Sequence, residues 1–114
     1  MTDDAQAIHR FYTAFQQGDH IAMAACYHPS IHFSDPAFGD LYGDEARAMW
    51  HMLCARGTDL EVTFSRVQAN GDRGSAHWEA RYTFGPTGRL IHNRIRASFT
   101  FDDGKIIRHA DVFN

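Results

Sequence analysis

The chain of 114 residues is 44% hydrophobic and 22% charged, as expected for one globular domain, which excludes an intrinsically disordered protein. A net charge of −3, without any run of lysine or arginine, argues against a nucleic-acid-binding protein. No apolar stretch approaches the ~20 residues of a membrane span, and the acidic start lacks the features of a secretory signal. We therefore expect a cytoplasmic protein that binds neither nucleic acid nor membrane.

Two helices are predicted at the start of the chain. Thr2 can cap the first helix, whose apolar residues repeat at steps of three and four as far as Phe15, and Gly18 ends it. The second helix is predicted to run through Tyr27 and to end before Pro29, because proline disfavours helical geometry in the residue that precedes it.

A broken segment separates these helices from a third. Residues 31–34 form a short strand-like piece, and Asp35-Pro36 and Gly39-Asp40 then interrupt the chain. A third helix is predicted from about Asp44. Its apolar residues have the clearest helical spacing in the chain: Ala46, Met49, Trp50, Leu53 and Cys54.

The second half of the chain has the two-residue period of β-strands. Short turns that contain glycine separate the strands, which predicts antiparallel pairing between neighbours. Helices followed by such a meander predict a single α+β domain over residues 1–114. The predicted strands cover residues 60–64, 76–84, 91–101 and 105–113.

Short motifs follow one another in a characteristic order along nearly the whole chain: Phe11 to Gly18-Asp19, Tyr27 with Ile31-His32-Phe33-Ser34-Asp35-Pro36, Tyr42-Gly43, and Gly104-Lys105-Ile106 leading to Asp111-Val112-Phe113. In this order they resemble the nuclear transport factor 2-like superfamily, and within it the SnoaL-like branch. That branch includes polyketide cyclases and relatives of limonene-epoxide hydrolase and ketosteroid isomerase. The resemblance implies a cone in which a curved, mixed, mostly antiparallel sheet wraps around three helices. It also implies a pocket at the open end and a homodimer.

The resemblance suggests a catalytic role for Asp35, which stands where steroid isomerases keep the carboxylate that moves a proton next to a carbonyl. The residue pattern offers an alternative, in which Asp35 starts a turn and binds nearby backbone amides. Phe11 and Ala97 stand at the positions of that family's two oxyanion donors, although Tyr12 is adjacent. Because neither Phe11 nor Ala97 can donate a hydrogen bond from its side chain, we expect no steroid isomerisation.

The last strand carries a second candidate carboxylate. Asp111 stands where epoxide-hydrolase-like members place an aspartate, but Trp78 and Ala80 replace its two charged partners. The strand period puts His109 and Asp111 on one face, where they would form a proton relay if that face lines the cone. The alternative turns the face of Ala110 inward and leaves the pair in solvent.

The residue patterns leave two functions open. One is an enzyme without a cofactor that isomerises, cyclises or hydrates a small, mostly apolar, oxygen-bearing molecule through Asp35, His109 and Asp111. The other is a non-catalytic module that binds a ligand or a second copy of the chain. We expect no metal site, because the eight histidines lack zinc-type spacing. The predicted ligand-binding residues are Tyr12, Phe15, Trp50, Trp78 and Asn93.

Overall fold

A computed structural model describes residues 3–56 and 59–113, apart from the side chain of Arg56. The predicted cap at Thr2 lies outside these residues. The first half holds α1 (Asp3–Gln16), α2 (His20–Ala25), β1 (Tyr27–Asp35), β2 (Gly39–Tyr42) and α3 (Asp44–Arg56). The second half holds β3 (Glu61–Asn70), β4 (Arg73–Phe84), β5 (Arg89–Asp102) and β6 (Lys105–Phe113). None of the helices in the described ranges is long and apolar enough to cross a membrane.

The six strands form one curved, unclosed sheet in the order β2-β1-β6-β5-β4-β3. Neighbouring strands pair antiparallel, except that β1 and β6 are parallel, with Phe33 opposite His109. The parallel pair brings the first strand of the chain beside the last. The predicted α+β fold with a mixed, mostly antiparallel sheet is confirmed.

The predicted end of the second helix is wrong. α2 ends at Ala25, and Tyr27 opens β1, so that Pro29 lies within a strand rather than after a helix. The pairing of β1 with β6 is irregular between Tyr27 and His32, and such an irregularity tolerates a residue without an N–H group. The correction matters because it places Tyr27 beside β6.

The helices cover one face of the sheet and share an aromatic core with it. Phe11 of α1 and Trp50 of α3 lie with their rings at right angles, 5.4 Å apart, and both are buried. Across the sheet, Ala76, Ala80 and Ala97 are buried as well. Of these three, Ala80 borders a cavity between the helices and the sheet.

The opposite face of the sheet is polar and carries a cluster of paired charges around Glu79. Glu79 accepts a hydrogen bond from His92 at 2.6 Å and has Arg81 and Arg94 each at 3.7 Å. These contacts hold the pKa of Glu79 below its usual value, the hydrogen bond from His92 contributing most. The predicted homodimer stays a prediction. If two copies met through this face, their contacts would be charged rather than apolar.

Candidate functional site

A cavity of about 640 Å³ lies between α3 and the sheet, a volume that suits a small organic molecule. The cavity wall is mainly apolar, and it includes eight aromatic residues: Phe15, Phe33, Phe38, Trp50, Trp78, Tyr82, Phe84 and Phe113. Its polar residues are fewer: Asp35, Asp59, Thr83, Asn93 and Asp111. The structure thus brings four of the predicted ligand-binding residues to the lining of one cavity: Phe15, Trp50, Trp78 and Asn93.

Asp111 is a buried carboxylate at this wall, only 5% exposed. Its Oδ1 lies 2.9 Å from Nε2 of His109, within hydrogen-bond distance, and accepts a hydrogen bond from Nε1 of Trp78 at 3.5 Å. No described residue hydrogen-bonds to Oδ2. The carboxylate is therefore held through one oxygen, while the other is available to a molecule in the cavity.

The orientation of β6 decides between the two alternatives left open by the sequence. His109 and Asp111 face the helices and are buried, whereas Val112 is 44% exposed on the opposite face. The inward orientation of the pair is therefore the one that the structure has.

His109 lies behind Asp111 rather than in the cavity wall. Its ring is completely buried, 4.5 Å from the ring of Phe99, 5.0 Å from that of Phe33, and stacked on Trp50 at 6.0 Å. His109 is not among the lining residues, and its link to the cavity is its contact with the carboxylate of Asp111.

Tyr27 completes the buried polar cluster, although no sequence pattern marked it as a site residue. Its hydroxyl oxygen lies 2.8 Å from Nδ1 of His109 and accepts a hydrogen bond from Nε1 of Trp50, also at 2.8 Å. Burial raises the pKa of Tyr27 well above its usual value, so the hydroxyl keeps its proton near neutral pH. No local signal indicates this contact, which joins residues 82 positions apart.

Asp35 combines features of both interpretations offered for it. Its half-buried side chain lines the cavity, yet its Oδ1 accepts hydrogen bonds from the backbone amides of Ala37 and Phe38. The turn that follows β1 therefore fixes this carboxylate at the wall. Among the described residues, no group of three His, Cys, Asp or Glu side chains is arranged to hold a metal ion.

Comparison with known families shows which family the chain belongs to. The sequence model of the SnoaL-like domain matches residues 8–109. The chain belongs to the SnoaL-like family. No curated protein sequence matches it.

Solved structures share the fold of this SnoaL-like protein at low sequence identity. An NTF2-like protein of unknown function from Burkholderia pseudomallei has a TM-score of 0.84 and 17% identity, over 100% of this chain and 92% of its own. An LEH-like epoxide hydrolase from M. tuberculosis has a TM-score of 0.81 and 19% identity, and the match covers 98% of this chain and 83% of that one. A putative SnoaL-like polyketide cyclase from Jannaschia has a TM-score of 0.82 and 16% identity, and the match covers 98% of this chain and 85% of that one. At these identities the comparison establishes the fold.

The structure does not bring Tyr12 to the cavity wall, although it was predicted as a ligand-binding residue. The side chain points between α1 and the sheet, where its ring stacks on Phe64 at 5.5 Å. Its buried hydroxyl has no hydrogen-bond partner among the described residues of this SnoaL-like protein. Burial, and to a lesser extent the charge of Asp111, raises the pKa of Tyr12 well above its usual value.

We expect Tyr12→Phe to raise the free energy of unfolding by about 1 kcal/mol, since burying an unpaired hydroxyl costs about 1–3 kcal/mol. Urea denaturation measures the change. The matched control is Tyr27→Phe, which removes a hydroxyl with two partners and is expected to lower stability. Equal losses of stability in both variants would show that the hydroxyl of Tyr12 is satisfied.

Proposed function

We propose that this SnoaL-like protein is an enzyme in which Asp111 moves a proton on a small, mostly apolar, oxygen-bearing molecule bound in the cavity. One observation carries the proposal. A carboxylate that is 5% exposed lies at the wall of an aromatic cavity, with one oxygen held by His109 and the other without a partner among the described residues.

The surroundings of Asp111 suit a general base. Interactions of a charged carboxylate are stronger in apolar surroundings than in water, and a fixed orientation lets it meet a proton at hydrogen-bond distance. Oδ2 would accept the proton, and the N–H of His109 would hold Oδ1 in place. The reaction class is proton removal next to a carbonyl, as in isomerisation or aldol-type cyclisation, or the activation of water for hydration.

Two more polar groups at the wall have proposed roles. The Oδ1 of Asp35 is occupied by backbone amides, so Oδ2 would be the atom that exchanges a proton with the ligand. Asn93 is half-buried, and its amide would bind an oxygen of the ligand. Trp50 and Trp78 would pack against the apolar part of the molecule.

The wall also argues against the two best-known activities of this fold. Trp78 and Ala80, at the positions of the charged partners in epoxide-hydrolase-like members, line the cavity without bringing a charge to it. Phe11 and Ala97, at the positions of the oxyanion donors in steroid isomerases, are both buried and carry no donor. Asp111 must therefore act with a different set of neighbours.

The charge of the wall indicates which ligands fit. Its described side chains include three carboxylates, Asp35, Asp59 and Asp111, and no lysine, arginine or histidine. Because like charges repel strongly in apolar surroundings, an anionic molecule is disfavoured there. An uncharged cyclic compound with a ketone or hydroxyl group matches the wall best.

A thermal-shift comparison of 2-tetralone with tetralin-2-carboxylate tests the proposed ligand class. Both probes have the same ring system, and only the second is an anion. At 100 times its dissociation constant a ligand adds about 2.7 kcal/mol to stability, so we expect 2-tetralone to raise the melting temperature and the carboxylate to leave it unchanged. A larger shift with the carboxylate would contradict the proposal. Binding of uncharged ketones without any proton transfer would indicate the non-catalytic ligand-binding module instead.

A further inference from the structure

A line of hydrogen-bonding side chains connects α3 with the cavity through the core. Nε1 of Trp50 donates to the Tyr27 hydroxyl at 2.8 Å, that hydroxyl meets Nδ1 of His109 at 2.8 Å, and Nε2 of His109 meets Asp111 at 2.9 Å. Trp50, Tyr27, His109 and Asp111 are all at least nine-tenths buried. Each proton in this line therefore has to find its acceptor within the protein.

The N–H group of Trp50 determines which atom donates and which accepts in the hydrogen bonds that follow. An indole nitrogen can only donate, so the hydroxyl oxygen of Tyr27 is an acceptor towards Trp50. The hydroxyl proton of Tyr27 then has one acceptor among the described residues, the lone pair on Nδ1 of His109. If Nδ1 carried a proton instead, two N–H groups would point at the Tyr27 oxygen and its own proton would have no acceptor. Such an unpaired buried donor is costly.

We infer that Tyr27 is a positioning residue, whose hydroxyl donates to Nδ1 and thereby keeps His109 neutral with its single proton on Nε2, directed at Asp111. His109 is then a hydrogen-bond donor to the carboxylate and brings no positive charge to it. The negative charge of Asp111 stays uncompensated at the cavity wall, which keeps Oδ2 available as a base. Only this last consequence rests on the proposed function, since the proton positions are a property of the protein without a ligand.

Nitrogen-15 NMR of the histidine rings tests the inference without any substrate. The signals of His109 are assigned through nuclear Overhauser effects to the rings of Phe33 and Phe99, so no variant is needed. At pH 7 we expect Nδ1 to resonate as an unprotonated nitrogen and Nε2 as a protonated one. A ring protonated on both nitrogens, or on Nδ1 alone, would overturn the inference.

Tyr27→Phe tests whether the hydroxyl is the partner of Nδ1. Losing a hydrogen bond moves the resonance of an unprotonated ring nitrogen downfield, so we expect the Nδ1 signal of His109 to move in that direction. The control is Tyr12→Phe, which removes a hydroxyl from an equally buried tyrosine with no described partner and should leave the signal in place. Equal signals in wild type and Tyr27→Phe would contradict the role of Tyr27.

Turnover measurements distinguish a failure of this inference from a failure of the proposed function. For a ketone that the protein turns over, we expect Tyr27→Phe to lower kcat by about 10-fold or more with little change in KM, because a wrongly held imidazole can cost up to ~10⁴-fold. The expected NMR signals without turnover of any compound would leave the role of Tyr27 in place and overturn the proposed enzyme. Unchanged kcat in Tyr27→Phe would show that Asp111 does not depend on the line of donors.

Discussion

Replacing Trp50 with alanine is expected to lower the free energy of unfolding by about 3–5 kcal/mol, because removal of the large side chain leaves a cavity that the core cannot fill. Trp50 is 2% exposed, and its ring lies 5.1 Å from that of Phe15 and 5.5 Å from that of Phe33. The substitution also removes the N–H donor to Tyr27. Alanine is the better helix former, so the loss can come only from packing and hydrogen bonding.

Met52→Ala is the control for this change. It truncates a residue of the same helix that is 39% exposed, and surface changes of this kind stay within about ±0.5 kcal/mol. Guanidinium denaturation of both variants provides the comparison. A Trp50→Ala variant as stable as Met52→Ala would mean that α3 does not pack on the sheet as described.

Replacing Asp111 with asparagine is expected to lower turnover of a ketone substrate by at least about 100-fold, the usual contribution of a general base. The melting temperature should change little, because the amide has nearly the same shape and its oxygen can still accept the N–H of His109. A steady-state assay with wild type and variant measures the effect. Asp35→Asn is also expected to lose activity, through the oxygen that faces the cavity.

Asp103→Asn is the matched control for the loss of a carboxylate. Asp103 is exposed in the turn between β5 and β6, and its φ of 52° is one that asparagine also adopts. We expect wild-type activity from this variant. If Asp111→Asn and Asp103→Asn were equally active, Asp111 would have no part in the chemistry.

The last strand shows how far the sequence alone predicts the site. The alternation of residues correctly put His109 and Asp111 on the same face, since β6 is regular at Ala110, the one residue between them. Strict alternation would also put Ile106 on the opposite face from His109, together with Ala110, but Ile106 and His109 are both completely buried. The register between β5 and β6 shifts at Phe101, and such a shift changes which residues face the core.

Tyr27 shows what local patterns cannot predict. Proline at position 29 indicated the end of a helix, and the residues before it matched a helical period. The parallel pairing of β1 with β6 outweighs that local preference and brings Tyr27 to His109. A contact between residues 82 positions apart depends on the sheet topology, which a single sequence does not reveal.

Asp35 is an intermediate case. The turn signal in Asp-Pro was correct, because the side chain binds the amides of Ala37 and Phe38. Its place at the cavity wall is visible only in the folded chain, because most of the other lining residues come from distant parts of the sequence.

Deuterium exchange into 2-tetralone tests the central role of Asp111 most directly. The ketone is incubated in D₂O with wild type or with Asp111→Asn, and proton NMR follows the hydrogens on the carbons next to the carbonyl. We expect wild type to accelerate their exchange at least about 100-fold more than the variant does, while both bind the ketone equally well. Exchange at the same rate with both proteins would contradict the assignment of Asp111 as the group that moves the proton.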